Sequence, residues 1–493
     1  MKKKFNKGIN EFILFISCIV FALALYVGIY FKYSTFEQLY YAVYASKGAS
    51  IYGMIEGFLF VSLITILFYS CIKLIQFLFK KSKRFCLIFS FSDKSITIFI
   101  IIFFVISLFT VLYKLKFFEY IHNQNTFSNI FENYYVNPKE TKIEFPKEKQ
   151  NLIYIFVESL ETTTLSKKNG GIQNTSYIPN LEKLALKNTN FSNSSKLGGA
   201  LQSVGTNWTV AAMIAQTSGL PLKISMDGNI NDNYSEFLPG AYSLGEILKD
   251  NGYKNYIMMG SNAYFGSRKE YFDYHGNYEI YDYLYAKENN LIPEDYFEWW
   301  GYEDSKLYSF AKDKLLEISQ NDEPFNFTML TADTHFQNGY IDASCETTFE
   351  NHYENSYFCT DKMLSEFISW IQKQDFYQNT TIIITGDHQT MQESFYTDID
   401  EHYKRTILNI IINSKSKTSN TKNRLFNSFD FYPTTLASLG CTIEGNKLGL
   451  GTNLYSKEKT LIEELSFNYV DVELARKSEY YDTYILGNKY IEK

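Results

Sequence analysis

The sequence predicts an α/β protein: membrane-spanning helices at the N-terminus, followed by a sandwich of helices around a mainly parallel central sheet. Three observations carry this. The first 120 residues hold three uncharged apolar stretches; short apolar runs then alternate with amphipathic segments; and polar clusters stand directly after several of those runs. Continuous apolar runs of five to seven residues suit strands buried on both faces, which is what helices packed on both sides of a parallel sheet require.

Phe12 to Phe31 is twenty residues without a charge, and Ser95 to Tyr113 is nineteen. Gly57 to Ile72 is also uncharged, and its apolar run continues past Lys73 to Phe79. About 20 apolar residues cross a bilayer as a helix, and a helix in a soluble core is rarely apolar on every face over such a length. No small-residue cleavage site follows the first stretch, which reads as an anchor. The expected organisation is a transmembrane region 1–114 with spans 12–31, 54–79 and 95–113, a linker 115–148, and a catalytic domain 149–493. Phe85 to Phe91, seven residues, is too short to span and reads as a re-entrant piece or part of a longer third element.

Lys2, Lys3, Lys4 and Lys7 precede the first span, and Lys80, Lys81, Lys83 and Arg84 follow the second. The intervening loop carries only two lysines and one glutamate. Positive charge stays in the cytoplasm, so the part after the third span is expected outside the cytoplasmic membrane, with the chain multi-pass. A formal charge of −7 argues against nucleic acid as a partner. Cys345 and Cys359, fourteen apart in a polar stretch, suit a disulfide in an oxidising compartment, the alternative being two unpaired thiols.

In the exported part, strands are expected at Leu152–Val157, Asn255–Met259, Phe325–Leu330, Thr381–Thr385 and Ile407–Ile412. Helices are expected at Ile178–Leu186, Val210–Gln216, Ser305–Ile318 and Asn355–Lys373. Ligands gather at the carboxyl ends of such strands. There stand Glu158 (NLIYIFVESLE), Asp333, Thr334 and His335 (FNFTMLTADTHF), and Asp387 and His388 (TIIITGDHQT). Carboxylates and imidazole are oxygen and nitrogen ligands for a divalent cation. Each cluster alone is weak, since a Glu after a strand is commonly a helix N-terminal carboxylate. Their joint placement at separate strand ends is far more specific. In GTNWTVAAMIAQTSGLPL, Thr209 stands at a helix start, where the bland reading is a cap. The same place offers N–H groups that bind phosphate, and a nearby cation would make the hydroxyl a nucleophile. Thr206 is the competing candidate.

Together VESLE, GTNWTVAAM with TSGLPL, DTHF, GDHQ and the closing SFDFYPTTLASLG…LGLGTNLYS resemble the alkaline phosphatase superfamily. The likeness is to its membrane branch of lipoteichoic acid synthases and glucan phosphoglycerol transferases, over roughly Asn151 to Ser456. The GTxWT form and the Cys345/Cys359 pair resemble the glucan enzymes most. The resemblance implies an alkaline-phosphatase/sulfatase-like sandwich and one divalent ion, Mn²⁺ or similar, held by Glu158, Thr209, Asp387 and His388. It implies Thr209 as nucleophile and His335 beside the transferred phosphate. Arg268 (NAYFGSRKEYF) resembles a substrate-binding position, with a solvated surface arginine as the alternative. Arg405 (HYKRTILNIII) is a candidate substrate contact or a structural ion-pair partner.

The implied reaction moves phosphoglycerol from a phospholipid, phosphatidylglycerol, to a glycan or glycerol-phosphate acceptor in the periplasm, through a phospho-threonine intermediate. The rivals are a phosphoethanolamine transferase and a non-catalytic envelope scaffold. No C-x-P-S-R motif occurs, so the sulfatase nucleophile is missing, and the nucleophile motif has no flanking cysteines. His335 lies in D-T-H and not D-x-x-x-H, which argues against a two-metal site.

Overall fold

A computed structural model describes residues 2–30, 35–45, 47, 51–81, 93–223, 236–392, 395–396 and 399–487. The expectation for Phe85–Phe91 falls outside them. The chain divides into two compact units, Met1–Tyr44 with Ala49–Asn125, and Ala45–Gly48 with Thr126–Lys493.

The first unit contains three long helices, α1 (Lys2–Tyr30), α2 (Ile51–Lys81) and α3 (Asp93–Lys114). Within them Gly8–Tyr30, Ile55–Leu78 and Thr97–Lys114 are long and apolar enough to cross a membrane. Leu14 and Cys18 of α1 are buried with Ile100 of α3, and the Phe21 and Phe68 rings lie 4.3 Å apart between α1 and α2. Phe58, Ile66, Val105 and Ile106 point outward and are exposed. Such a surface suits hydrocarbon; in water it would invite aggregation.

The second unit is built on seven strands: β1 (Asn151–Val157), β2 (Gly199–Ala200), β3 (Lys254–Met259), β4 (Glu279–Tyr281), β5 (Phe325–Leu330), β6 (Thr380–Gly386) and β7 (Ile407–Ile412). Their order is β2-β7-β6-β1-β5-β3-β4. Strand β1 is central and parallel to both β6 and β5, while β7 and β2 close one edge antiparallel. Residues alternate between the faces of the sheet. Ile153, Ile155 and Val157 join a core with α4 (Pro179–Lys187), α6 (Asp304–Ile318) and α7 (His352–Ile371), through residues such as Leu181, Leu315 and Phe367.

Outside that cluster, Tyr154 donates its hydroxyl to Gln216 of α5 (Thr209–Ser218) at 2.8 Å. The Gln216 amide then donates to the Gly386 carbonyl at 3.0 Å. Helix α5 is thereby tied to the middle of β1 and the end of β6. It stops at Gly219, whose φ of 65° is the left-handed cap that glycine adopts without strain.

One expected boundary moves. Residues 126–148 are folded parts of the second unit and not a free linker. Ile130 and Phe131 are buried, Phe131 meets the Tyr481 ring at 5.1 Å, and Ile143–Glu144 pairs with Thr442–Ile443. Charged, asparagine-rich composition hid these few apolar contacts. Cys345 and Cys359 form a disulfide with a Cα–Cα distance of 5.5 Å, and Cys441 is a buried free thiol.

Candidate active site

The carboxyl ends of β1, β5 and β6 converge. Glu158 follows β1, and Asp387 and His388 follow β6; all three are buried, and one ligand atom from each lies within 4.8 Å of the others. Ser159, just after Glu158, has φ 55°, an uncommon conformation for a residue with a side chain. The turn aims its N–H at Asp387 Oδ1 (2.8 Å) and its hydroxyl at Glu158 Oε1 (2.7 Å). Asp387 Oδ1 also accepts from the His388 N–H at 2.7 Å.

His388 Nδ1 donates to the Gln389 carbonyl at 2.9 Å, which leaves Nε2 as the free nitrogen. Nε2 lies 3.4 Å from both Glu158 Oε1 and Asp387 Oδ2, and Asp387 Oδ2 is buried without a hydrogen-bond partner. A lone pair facing two carboxylates with a buried orphan oxygen calls for positive charge between them. These residues therefore fit a divalent cation, with the His388 carbonyl contact acting as the outer support such ligands need. Burial and then the Glu158 charge push Asp387 up to about 7. Burial pulls His388 down, but the Asp387 and Glu158 charges more than offset it, so its net shift is upward.

Thr209 is the first residue of α5, and its hydroxyl lies 3.5 Å from Glu158 Oε2. Thr206 is turned inward: its hydroxyl donates to the Ser203 carbonyl (2.8 Å) and accepts from the Ser203 N–H (3.1 Å). Of the two candidates, the fold brings only Thr209 to the cluster.

His335 stands at the β5 exit, half-buried, with Nδ1 donating to the Phe336 carbonyl. Burial lowers its pKa to about 4; the charges of His388 and Arg268 push the same way, and that of Asp387 opposes them. Asp333, two residues earlier, is not brought to the carboxylate–imidazole cluster. It accepts from the Asp304 N–H (3.2 Å), while Asp304 accepts from the Ala332 and Asp333 N–H groups (2.9 and 3.0 Å). Burial pushes both carboxyls upward, Asp304 to about 7. A Thr334 hydroxyl bond to the Glu158 carbonyl (2.5 Å) ties this exit to that of β1.

Arg268 is buried, donating from Nε to the Phe265 carbonyl (2.9 Å) and from Nη2 to the Asn262 carbonyl (2.8 Å), so it is not a solvated surface arginine. Its loop reaches α5: a Cβ on Gly266 would lie 3.7 Å from the Val210 side chain. Arg405 grips Glu161 with two bonds of 2.8 Å, donates to the Thr390 carbonyl and stacks 4.0 Å over the Tyr396 ring. Those bonds make it a structural ion-pair partner.

Asp304 and the Trp299–Trp300 pair also reach this region, though no motif in the sequence marks them. Trp300 lies 4.6 Å from the His335 ring, and Trp299 Nε1 donates to the Ala332 carbonyl at 2.8 Å. Adjacent tryptophans in a polar loop were the available signal.

Residues 150–441 match the sulfatase family model, 292 of the 493 residues. The chain belongs to the sulfatase family. Among its relatives are proteins named phosphoglycerol transferase I from Escherichia coli O127:H6, 28% identical over 358 residues, and from Citrobacter koseri, 29% identical over 358 residues. Each alignment takes in 71% of this chain and 44% of the relative, so the chain spans under half the length of these relatives. A solved structure with the same fold is the lipoteichoic acid synthase LtaP from Listeria monocytogenes, at TM-score 0.50 and 19% identity, covering 64% of this chain and 79% of that one.

Proposed function

We propose that this domain transfers a phosphoglycerol group from phosphatidylglycerol to a hydroxyl on a glycan or glycerol-phosphate acceptor, through a covalent intermediate on Thr209. The observation that carries this is the Thr209 hydroxyl at the α5 N-terminus, 3.5 Å from Glu158 in the buried Glu158–Asp387–His388 cluster. The reading further holds that the chain is anchored in a bacterial cytoplasmic membrane by α1–α3 with this domain outside, where the donor lipid is at hand.

Glu158 Oε2 accepts from the Thr209 hydroxyl and orients it, while the N–H groups of the first turn of α5 attract the phosphate. A divalent cation, Mn²⁺ or similar, held by Glu158, Asp387, His388 and Thr209 would supply positive charge against the ionising hydroxyl and the phosphoryl oxygens. Thr209 Oγ1 attacks phosphorus, the bond to diacylglycerol breaks, and the threonine proton leaves with the diacylglycerol. An acceptor hydroxyl then attacks the same phosphorus and Oγ1 departs. His335, neutral because burial holds its pKa near 4, takes the acceptor proton at Nε2 and returns it to Oγ1.

The full chain in detergent with Mn²⁺ is expected to release diacylglycerol from labelled phosphatidylglycerol and to carry a phosphoglyceryl adduct on Thr209 by mass spectrometry. Thr209→Ala should abolish both. An adduct on another residue, or turnover of phosphatidylethanolamine alone, would overturn the assignment. Turnover of neither lipid would favour a scaffold.

A further inference from the structure

The turn Glu298–Gly301 is a tight hairpin whose ends exchange main-chain hydrogen bonds of 2.9 Å. It is pinned to the β3 exit by Tyr302 N–H to the Gly260 carbonyl (3.0 Å). The fit leaves no room, since a Cβ on Gly301 would come within 2.3 Å of that carbonyl oxygen. Trp299 at φ 57° is a genuine outlier for so bulky a residue. Strain of this kind persists where surrounding structure over-determines it, and it clusters at functional sites. The turn splays the two indoles. Trp299 bonds the β5 exit, whereas Trp300 makes a wall between the Phe265 ring (5.7 Å) and the His335 ring (4.6 Å) and stays half-buried.

We propose that Trp300 is a specificity-determining residue that packs its indole on the carbon skeleton of the glycerol being transferred; this rests on the function proposed above. The wall adjoins His335 on one side and, through the Gly266 loop, the Val210 end of α5 on the other, so a group on phosphorus between Thr209 and His335 meets it. Aromatic surface in a pocket holds the apolar part of a ligand while a few polar groups orient it. An indole alone would also attract an ammonium group. Here the Arg268 guanidinium lies 5.7 Å over Phe265, the next ring of the stack, and near enough for its charge to act on His335, so it disfavours a second cation in this pocket. The combination selects a neutral polyol over ethanolammonium.

The test is calorimetric binding of glycerol phosphate, phosphoethanolamine and inorganic phosphate to the full chain in detergent with Mn²⁺. Wild type should bind glycerol phosphate tightest. Trp300→Ala should weaken glycerol phosphate about tenfold or more, the range for losing an apolar pocket contact, and leave inorganic phosphate unchanged. Trp300→Phe, which keeps a ring, should fall between, and it decides the matter if the alanine variant does not fold. Equal weakening of all three ligands would mean a structural role only, and overturns the proposal. So do unchanged affinities, tighter phosphoethanolamine binding by wild type, or no binding at all. Lipid turnover is assayed separately: ligand selectivity that depends on Trp300 without diacylglycerol release from phosphatidylglycerol would strike the proposed reaction and spare the pocket.

Discussion

His335 and His388 leave strands on either side of β1 and share a local design. Each donates Nδ1–H to the carbonyl of the residue that follows it and so presents a bare Nε2. Their surroundings then drive them apart. His388 lies between two buried carboxylates that carry its pKa upward, and His335 sits by Trp300 in a place where burial lowers it to about 4. The backbone sets the tautomer, and the neighbours set the charge. One imidazole is thereby suited to a cation and the other to a neutral role at the transferred group.

Removing each ring should separate these roles. His388→Ala is expected to weaken Mn²⁺ binding by more than about 100-fold, above the loss seen when only a supporting contact of a ligand is removed. Isothermal titration calorimetry reads this without any need for turnover. His335→Ala is expected to leave Mn²⁺ affinity unchanged and to lower kcat by about 10²- to 10⁴-fold, the range for a lost proton-transfer group. Equal loss of metal affinity in both variants would erase the distinction drawn between the two exits.

How much of this was legible in sequence follows the same division. β1, β5, β6 and β7 lie within a residue of their expected bounds, because strands buried on both faces read as unbroken apolar runs. Glu158, Asp387 and His388 were legible as chemistry because each directly follows such a run. Asp304 was not, since it stands at a helix start where an acidic residue is ordinary, and only the chain crossing from β5 gives it Ala332 and Asp333 to hold. Trp300 depends on a hairpin docked onto the β3 exit, a contact between residues 42 apart with no local pattern. Arg405 was ambiguous because Glu161, its partner, lies 244 residues away.

The smallest effect tests what holds the His335 side in place. The Asp304 carboxyl is raised by burial from 3.8 to about 7. Its folded value lies above its unfolded one, so the stability it contributes is fully present below pH 3.8 and is lost as pH rises through about 7. Asp304→Asn removes the charge and keeps one carbonyl acceptor for the Ala332 and Asp333 amides. In chelated protein, the wild-type melting temperature should therefore fall more steeply than that of Asp304→Asn between pH 5 and 8. The gap should be about 2–4 °C for each kcal/mol that ionisation costs. Asp361, Asp387 and Asp430, which burial raises to about 6, about 7 and about 7, titrate alike in both proteins and cancel in the comparison; Asp333, raised by burial and then by the Asp304 charge, does not, so the difference reads the Asp304–Asp333 pair. Parallel curves would mean that ionising Asp304 does not strain the β5 exit, and that His335 is held by its contact with the tilted Trp300 ring and its bond to Phe336 alone.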